Sequence, residues 1–204
     1  MVIFKITDYD LQITDYEKMG IVTLTVTYLN GGFIMNVYEA INKRRSVRAY
    51  QDKPIPENIL TKILDAARIA PSAKNRQQFK LIVVKDSQTR KKLVEAANNQ
   101  QFVGEAPVVI AAVGLTPNDK MRCDIPTDPV DVAIVMDHIT LAAVEEGLGT
   151  CWIGSFYQDK VREILGIPSS CKVVELLTLG YPSDSPKPKS RKSLDEIVCY
   201  EKFC

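Results

Sequence analysis

The chain has 204 residues, 46% of them apolar and 25% charged. That is the profile of an ordinary soluble globular protein and excludes a disordered or collagenous one. Lys plus Arg total 26 and Asp plus Glu 25, a net charge of +1, where a duplex-binding protein carries a clear basic excess. The length suits one large domain that buries roughly 70% of its unfolded surface without staples. The five cysteines are odd in number, and no two have Cys-x-x-Cys spacing. They predict free thiols in a reducing cytoplasm, with neither a disulfide framework nor a zinc site. No apolar run reaches the roughly 18 residues of a membrane span, and the N-terminus lacks the charged and apolar regions of a secretory signal.

Residues 1–34 read apart from the rest. Ile6-Thr7-Asp8-Tyr9-Asp10 is echoed by Ile13-Thr14-Asp15-Tyr16-Glu17, too few copies for a repeat architecture. Thr23, Thr25 and Thr27 alternate with Leu24, Val26 and Tyr28 and predict a strand, closed by turn chemistry at Asn30-Gly31-Gly32. The segment is either an added strand or the product of a start codon called upstream of Met35. From Met35 the chain reads as one unit, 35–204. Met35-Asn36-Val37-Tyr38 opens a helix with Asn36 as N-cap, and Val37, Ala40 and Ile41 form its apolar stripe. Pro56 stands where a second helix begins. Ile59, Leu60, Ile63, Leu64 and Ala67 keep helical spacing, and Pro71 ends it.

Phe79–Val84 is a short strand and Ser87–Ala97 an exposed helix. Val108–Val113 is a buried strand. Pro129–Glu146 is a long helix, apolar on most faces, ended by Gly147 and Gly149. Cys151-Trp152-Ile153 is a strand, Tyr157–Leu165 a helix and Val173–Leu179 a last core strand. Pro182–Lys192 is an extended tail. Alternation of this kind predicts a sheet covered by helices. Neither a GxGxxG fingerprint nor a P-loop is present.

Charge is balanced overall and uneven locally. Lys43, Arg44, Arg45 and Arg48 fall within six residues, and Lys187, Lys189, Arg191 and Lys192 within another six. Arg presents a planar fork suited to phosphate, and Lys a point charge. A fold that joins the clusters makes an anion site; one that does not leaves two solvated basic faces.

The order Arg44-Arg45-Ser46-Val47-Arg48, Pro54-x-Pro56, a helix, then Ala70-Pro71-Ser72-x-x-Asn75-x-Gln77 resembles the nitroreductase family of FMN-dependent oxidoreductases. So do Gly147-Leu148-Gly149-Thr150-Cys151-Trp152-Ile153-Gly154 and Gly180-Tyr181-Pro182 followed by Lys189-Ser190-Arg191. The resemblance runs from about Met35 to Val198. It implies an α+β, three-layer fold with a mainly antiparallel central sheet flanked by helices, in an intertwined homodimer with FMN at the interface. By the same resemblance Arg44, Lys189 and Arg191 hold the FMN phosphate; Arg45 is counted with the cofactor-binding residues, or else points to solvent or forms an ion pair. Ser46 and Arg48 reach the ribityl chain and pyrimidine ring. Pro71, Ser72, Ala73 and Asn75 contact the flavin of the other subunit. Trp152, Ile153 and Gly154 lie against it, with a backbone N–H near Gly154 facing N5.

The implied reaction is hydride transfer from NADH or NADPH through FMN to a small electron-poor acceptor, a quinone or nitroaromatic, in a ping-pong cycle. It requires no catalytic side chain, and no metal, nucleic acid or membrane is expected. Specialised relatives that break down flavin or remove halogen, a flavin store or redox sensor, and a cofactor-free interaction protein are the rival readings. Residues 114–130 are a candidate substrate lid. Cys151 reads as a buried apolar residue, His138 as structural, and Asp128, Asp131 and Asp137 as a helix face with capping carboxylates.

Overall fold

The computed structural model describes residues 2–6, 9–16, 21–27, 35–188 and 190–204. The chain divides into two units, Met1–Asn36 and Val37–Cys204. In the first, strands β1 (Val2–Ile6), β2 (Tyr9–Tyr16) and β3 (Ile21–Thr27) form an antiparallel meander in sequence order. Ile13 of β2 stands opposite Val2 on one side and Leu24 on the other. Only the third of these strands carries the threonine alternation that predicted it. The expected turn at Asn30-Gly31-Gly32 lies outside the described residues.

The second unit is built on a four-stranded sheet. Its strands are β4 (Phe79–Val84), β5 (Val108–Gly114), β6 (Gly149–Ile153) and β7 (Lys172–Gly180), in the order β4-β5-β7-β6 and antiparallel throughout. All seven residues of β5 are buried, because the strand is covered on both faces. The side chains of Val109, Ala111 and Val113 enter one core, and those of Val108, Ile110 and Ala112 the other. A near-continuous run of Val, Ile and Ala is the sequence form of such a strand.

Among the described residues six helices accompany the sheet: α1 (Val37–Lys43), α2 (Glu57–Arg68), α3 (Ser87–Ala96), α4 (Phe102–Glu105), α5 (Thr127–Glu145) and α6 (Gln158–Leu165). Helices α2 and α5 cover one face with Leu60, Ile63, Ala67, Val132, Val135 and Ile139. Helices α3, α4 and α6 cover the other with Leu93, Ala96, Phe102, Val103 and Val161. The three-layer α+β arrangement is the one expected. Leu60, Ile63 and Ala67 follow i, i+3, i+7 and keep α2 flat on the sheet. Asp86 caps α3 by accepting from the Thr89 N–H at 2.8 Å. Helix α4, only four residues long, has no periodicity to betray it.

One sequence expectation is corrected. Cys199 and Cys204 form a disulfide, with Cα atoms 5.6 Å apart. Glu201 between them takes a φ of 59°, which folds the chain back on itself. A loop this short escapes an argument built on cysteine count and Cys-x-x-Cys spacing. Cys123, Cys151 and Cys171 keep their thiols.

The segment that leaves α1 decides where the basic clusters go. Ser46 forms a parallel bridge with Thr150 of edge strand β6, and the Val47 N–H donates to the Thr150 carbonyl at 2.9 Å. Further on, the Gln51 N–H donates to Tyr181 O at 2.9 Å and the Ser183 N–H to Ala49 O at 3.0 Å. Gly149 makes this contact possible: a Cβ there would stand 2.4 Å from Val47 Cγ2. Tyr50, buried, donates its hydroxyl to Val47 O at 2.8 Å and lies 2.7 Å from Thr178 Oγ1. A carbonyl can only accept, so Thr178 supplies the proton of the second bond. Burial raises the phenol pKa and keeps Tyr50 neutral. We expect Tyr50→Phe to lower the free energy of unfolding by about 1–3 kcal/mol, as two buried oxygens lose a partner; urea denaturation measures it.

Candidate functional site

Helix α1 hands its last carbonyls to the first basic cluster. Arg45 donates from Nη1 to Asn42 O at 2.5 Å and to Arg44 O at 2.8 Å, a cation at the negative end of a helix. The extended stretch that follows is fixed to β6 as described, and the tail after β7 is fixed to that stretch at Tyr181–Ser183. The two clusters therefore meet. Ile41, Asn42, Arg44, Arg45 and Ser46 line one side of a cavity of about 570 Å³, and Pro186, Lys187, Pro188 and Arg191 the other. Among the described residues, no carboxylate lines it, and the ion pairs use none of Arg44, Arg45, Lys187 and Arg191. Lys189 lies outside the described residues.

Convergent cations without internal counter-charge suit a dianionic group such as a phosphomonoester. Arg and Lys supply the charge, and the half-buried Ser46 hydroxyl adds a short donor. On donor chemistry the residues present fit the phosphate of FMN. Arg48 does not line this cavity; its guanidinium is 6.0 Å from the centre of the Phe102 ring.

The remaining predicted positions form two other groups. Pro71, Ser72, Ala73 and Asn75 lie in the connection from α2 to β4. Lys74, Asn75 and Gln77 there hold φ of 55°, 55° and 53°, a left-handed conformation that costs on the order of 1 kcal/mol or more for each residue other than glycine. Several bonds over-determine the loop. The Ala73 N–H donates to Asp131 Oδ1 at 2.9 Å, the Gln77 N–H to Ser72 Oγ at 3.0 Å and the Gln77 side-chain amide to Asn75 O at 3.0 Å. Arg76 pairs with Asp119 at 2.9 Å, tying the loop to the stretch expected as a lid. That stretch is anchored by Asp128, which accepts from the Thr116 N–H at 2.9 Å and the Thr116 hydroxyl at 2.8 Å.

Asp128 and Asp131 are thus not caps of their own helix, as the sequence suggested; they reach out to neighbouring loops. The sequence gives no sign of which loop a carboxylate 58 residues away will hold.

The third group is the end of β6. Trp152 is 37% exposed, while Cys151 and Ile153 are 2% exposed on the opposite face. The Ile153 side chain therefore belongs to the core, and only its backbone can meet a ligand. Around Gly154 there is open space: a Cβ placed there would meet nothing within 4 Å. Gly154 lines a cavity of about 410 Å³ with Pro117, Pro126, Asp128, Phe156 and Gln158 among others. His138 lies 3.4 Å through Nδ1 from the Ala66 carbonyl of α2, consistent with a structural role. Among the described residues no cluster of His, Cys, Asp or Glu could hold a metal.

Sequence reading passed over Glu175. It is the one acid in a nine-residue strand that is largely apolar and buried after its exposed first residue, Lys172. Burial pushes its carboxyl up to about 7, against a smaller lowering by the backbone at Ile153. Its Oε1 is buried with no hydrogen-bond partner. A lone charge inside an apolar run was the available signal.

The chain is similar to known proteins. The family model described as "Nitroreductase family" matches residues 41–102 and 95–181. A protein of Thermus thermophilus named NADH dehydrogenase is 31% identical over 82% of this chain and 97% of its own. An FMN reductase [NAD(P)H] of Bacillus subtilis is 30% identical over 82% of this chain and 74% of its own. The structure of the NADPH:FMN oxidoreductase of Vibrio harveyi, complexed with NAD+, superposes with a TM-score of 0.76 at 26% identity, covering 83% of this chain and 79% of that one.

Two outcomes follow from the buried acids. Asp131→Ala leaves the Ala73 N–H without its acceptor; we expect faster hydrogen exchange at that amide and a lower Tm. Glu175 carries a pKa raised in the folded state from the usual 4.5 to about 7. The protonated form therefore contributes stability that is complete below about 4.5 and lost as pH rises through about 7. The Tm of wild type relative to Glu175→Gln should fall between pH 4.5 and pH 8, read by thermal denaturation across that range.

Proposed function

This chain belongs to the nitroreductase family, and we infer from that premise that it is an FMN-dependent NAD(P)H oxidoreductase. The observation that carries the reading is the union of two sequence-distant basic clusters in one cavity whose described lining holds no carboxylate. Bound FMN would supply the two-electron chemistry, taking hydride from NADH or NADPH and passing it to a small electron-poor acceptor, a quinone or nitroaromatic, in a ping-pong cycle.

The chain's own residues bind and orient. Arg44, Lys189 and Arg191 hold the phosphate, with Arg45 and Lys187 adding positive potential. Ser46 and Arg48 address the ribityl chain and the pyrimidine edge, where a cation stabilises the negative charge of the reduced ring. Trp152 and the backbone of Ile153 and Gly154 form the wall at the flavin edge. The Gly154 N–H is the donor proposed for N5, and the absence of a side chain there leaves room for a ring. No side chain of the chain is assigned as acid or base, since the hydride chemistry belongs to the cofactor.

The working form is a homodimer. Val37, Tyr38 and Ile41 of α1 are 71%, 78% and 52% exposed, and Leu194, Ile197, Tyr200 and Phe203 of the tail 65%, 66%, 77% and 100%. Large apolar side chains left this exposed are candidates for burial in an interface. In the dimer Pro71, Ser72, Ala73 and Asn75 of a second copy complete the site. The rigid, left-handed loop that carries them supports this, because strained backbone held by many bonds is a feature of ligand clamps. Residues 35–204 form the flavin-binding unit and residues 1–34 an extension. Among the described residues no helix is long and apolar enough to cross a membrane, and the proposed location is the cytoplasm.

The purified protein should be yellow, with about one FMN per chain as expected from the single cation cluster. The double variant Lys189→Ala/Arg191→Ala should lose its flavin on dialysis while keeping its far-ultraviolet circular dichroism. Tight retention of FMN by that folded variant would contradict the assignment.

A further inference from the structure

We propose that Glu175 is a positioning residue of the redox site, standing beside the Trp152–Gly154 edge and setting by its own proton the charge there. The proposal rests on the flavin reading above.

Its geometry comes from strand register. Ile153 pairs with Leu176, and Trp152 with Leu177. Just beyond the Ile153–Leu176 pair, Glu175 is next to Leu176 on one strand and Gly154 next to Ile153 at the end of the other. Glu175 also pairs with Ala112 of β5. Residues directly opposite in an antiparallel pair share a face, and Ala112 and Leu177 both belong to the core beneath α5. Glu175 is therefore on the α5 face of the sheet, with Trp152 as its diagonal neighbour on that face. The backbone at Ile153, the residue before Gly154, is near enough to favour the ionised carboxyl, against the larger opposing effect of burial. The Oε1 oxygen is buried and unpartnered among the described residues.

A buried carboxyl oxygen without a donor is costly when charged and tolerable when it carries a proton. The site stores that proton beside the place where negative charge would build up on reduction. Neutral Glu175 leaves such charge unopposed; ionised Glu175 repels it at short range and low dielectric.

Other groups do not confound the assignment. Strand β5 carries no titratable side chain. Strand β6 carries only the Cys151 thiol, which lies on the opposite face with Thr178. On α5, Asp128 and Asp131 are engaged by Thr116 and Ala73, Asp137 is exposed and His138 faces α2. The charges of α6 flank Val161, which enters the other core. Lys172 stands at the exposed start of β7.

The test compares wild type with Glu175→Gln, in which the amide imitates the protonated acid. FMN content is measured first, then the flavin midpoint potential from pH 5.5 to pH 9, the range that brackets the shifted carboxyl. The two potentials should coincide on the acid side. Above about pH 7 the wild-type potential should fall below that of the variant. The kcat of NAD(P)H oxidation should decline over the same interval in wild type alone, with KM unchanged. In parallel, nuclear magnetic resonance of 13C-glutamate-labelled protein should find one carboxyl, absent from Glu175→Gln, that titrates well above the usual 4.5. Parallel potentials in two flavin-loaded proteins overturn this proposal and leave the flavin reading standing. A Glu175 carboxyl that titrates in the ordinary range overturns it without reference to flavin. Folded protein that takes up no FMN overturns both.

Discussion

The structure depends on a short edge pairing. The Val47 N–H reaches the Thr150 carbonyl, and the Tyr50 hydroxyl closes back onto Val47 and Thr178. Each bond is modest, about 1 kcal/mol net, but together they fix the path of residues 46–51 across the ends of β6 and β7. Everything charged in the cavity hangs from that path. Arg44 and Ser46 project from its beginning, and the tail with Lys187 and Arg191 leaves from its far end at Tyr181–Ser183. Gly149 is the steric condition: any side chain there would collide with Val47. The cation cluster is thus a by-product of neutral packing, and electrostatic repulsion among its members is borne by hydrogen bonds made in the core.

The same economy governs the loops. Two buried aspartates on α5 face outward from the helix start and hold Thr116 and Ala73. One rigid helix packed against the sheet therefore sets the position of two loops. The backbone at Lys74, Asn75 and Gln77 is left-handed without a glycine. It persists because Asp131, Ser72 and the Gln77 amide leave no alternative. Rigidity of that sort suits residues that must present a fixed geometry to a ligand.

Much of this was legible in the sequence, and the limits are physical. Strand β5 and helices α2 and α5 were readable because burial writes a period into the chain: Val, Ile and Ala along a doubly covered strand, Leu60, Ile63 and Ala67 at helical spacing. The basic clusters were readable as charge. Their meeting was not, because it depends on which strand edge residues 46–51 choose. Arg45 counted as a ligand by resemblance, yet its guanidinium also turns back to the carbonyls that end α1. Ile153 matched a motif, but the alternation of β6 commits its side chain to the core. The disulfide at Cys199 escaped because local backbone curvature, not spacing, brings the sulfurs together. Glu175 was visible as an anomaly, one acid in an apolar strand, and only strand register places it near Gly154.

The contacts that build the cavity join residue 47 to residue 150 and residue 49 to residue 183. Synthesis runs from the N-terminus, and domains fold as units once their segments are available. While the first two thirds of the chain are on the ribosome, Arg44 and its neighbours have no strand to lie against and no tail to face. The cavity between the clusters forms only when β6, β7 and the following residues have emerged. A chain interrupted before that point carries Arg44 and Arg45 without Lys187 and Arg191 to face them.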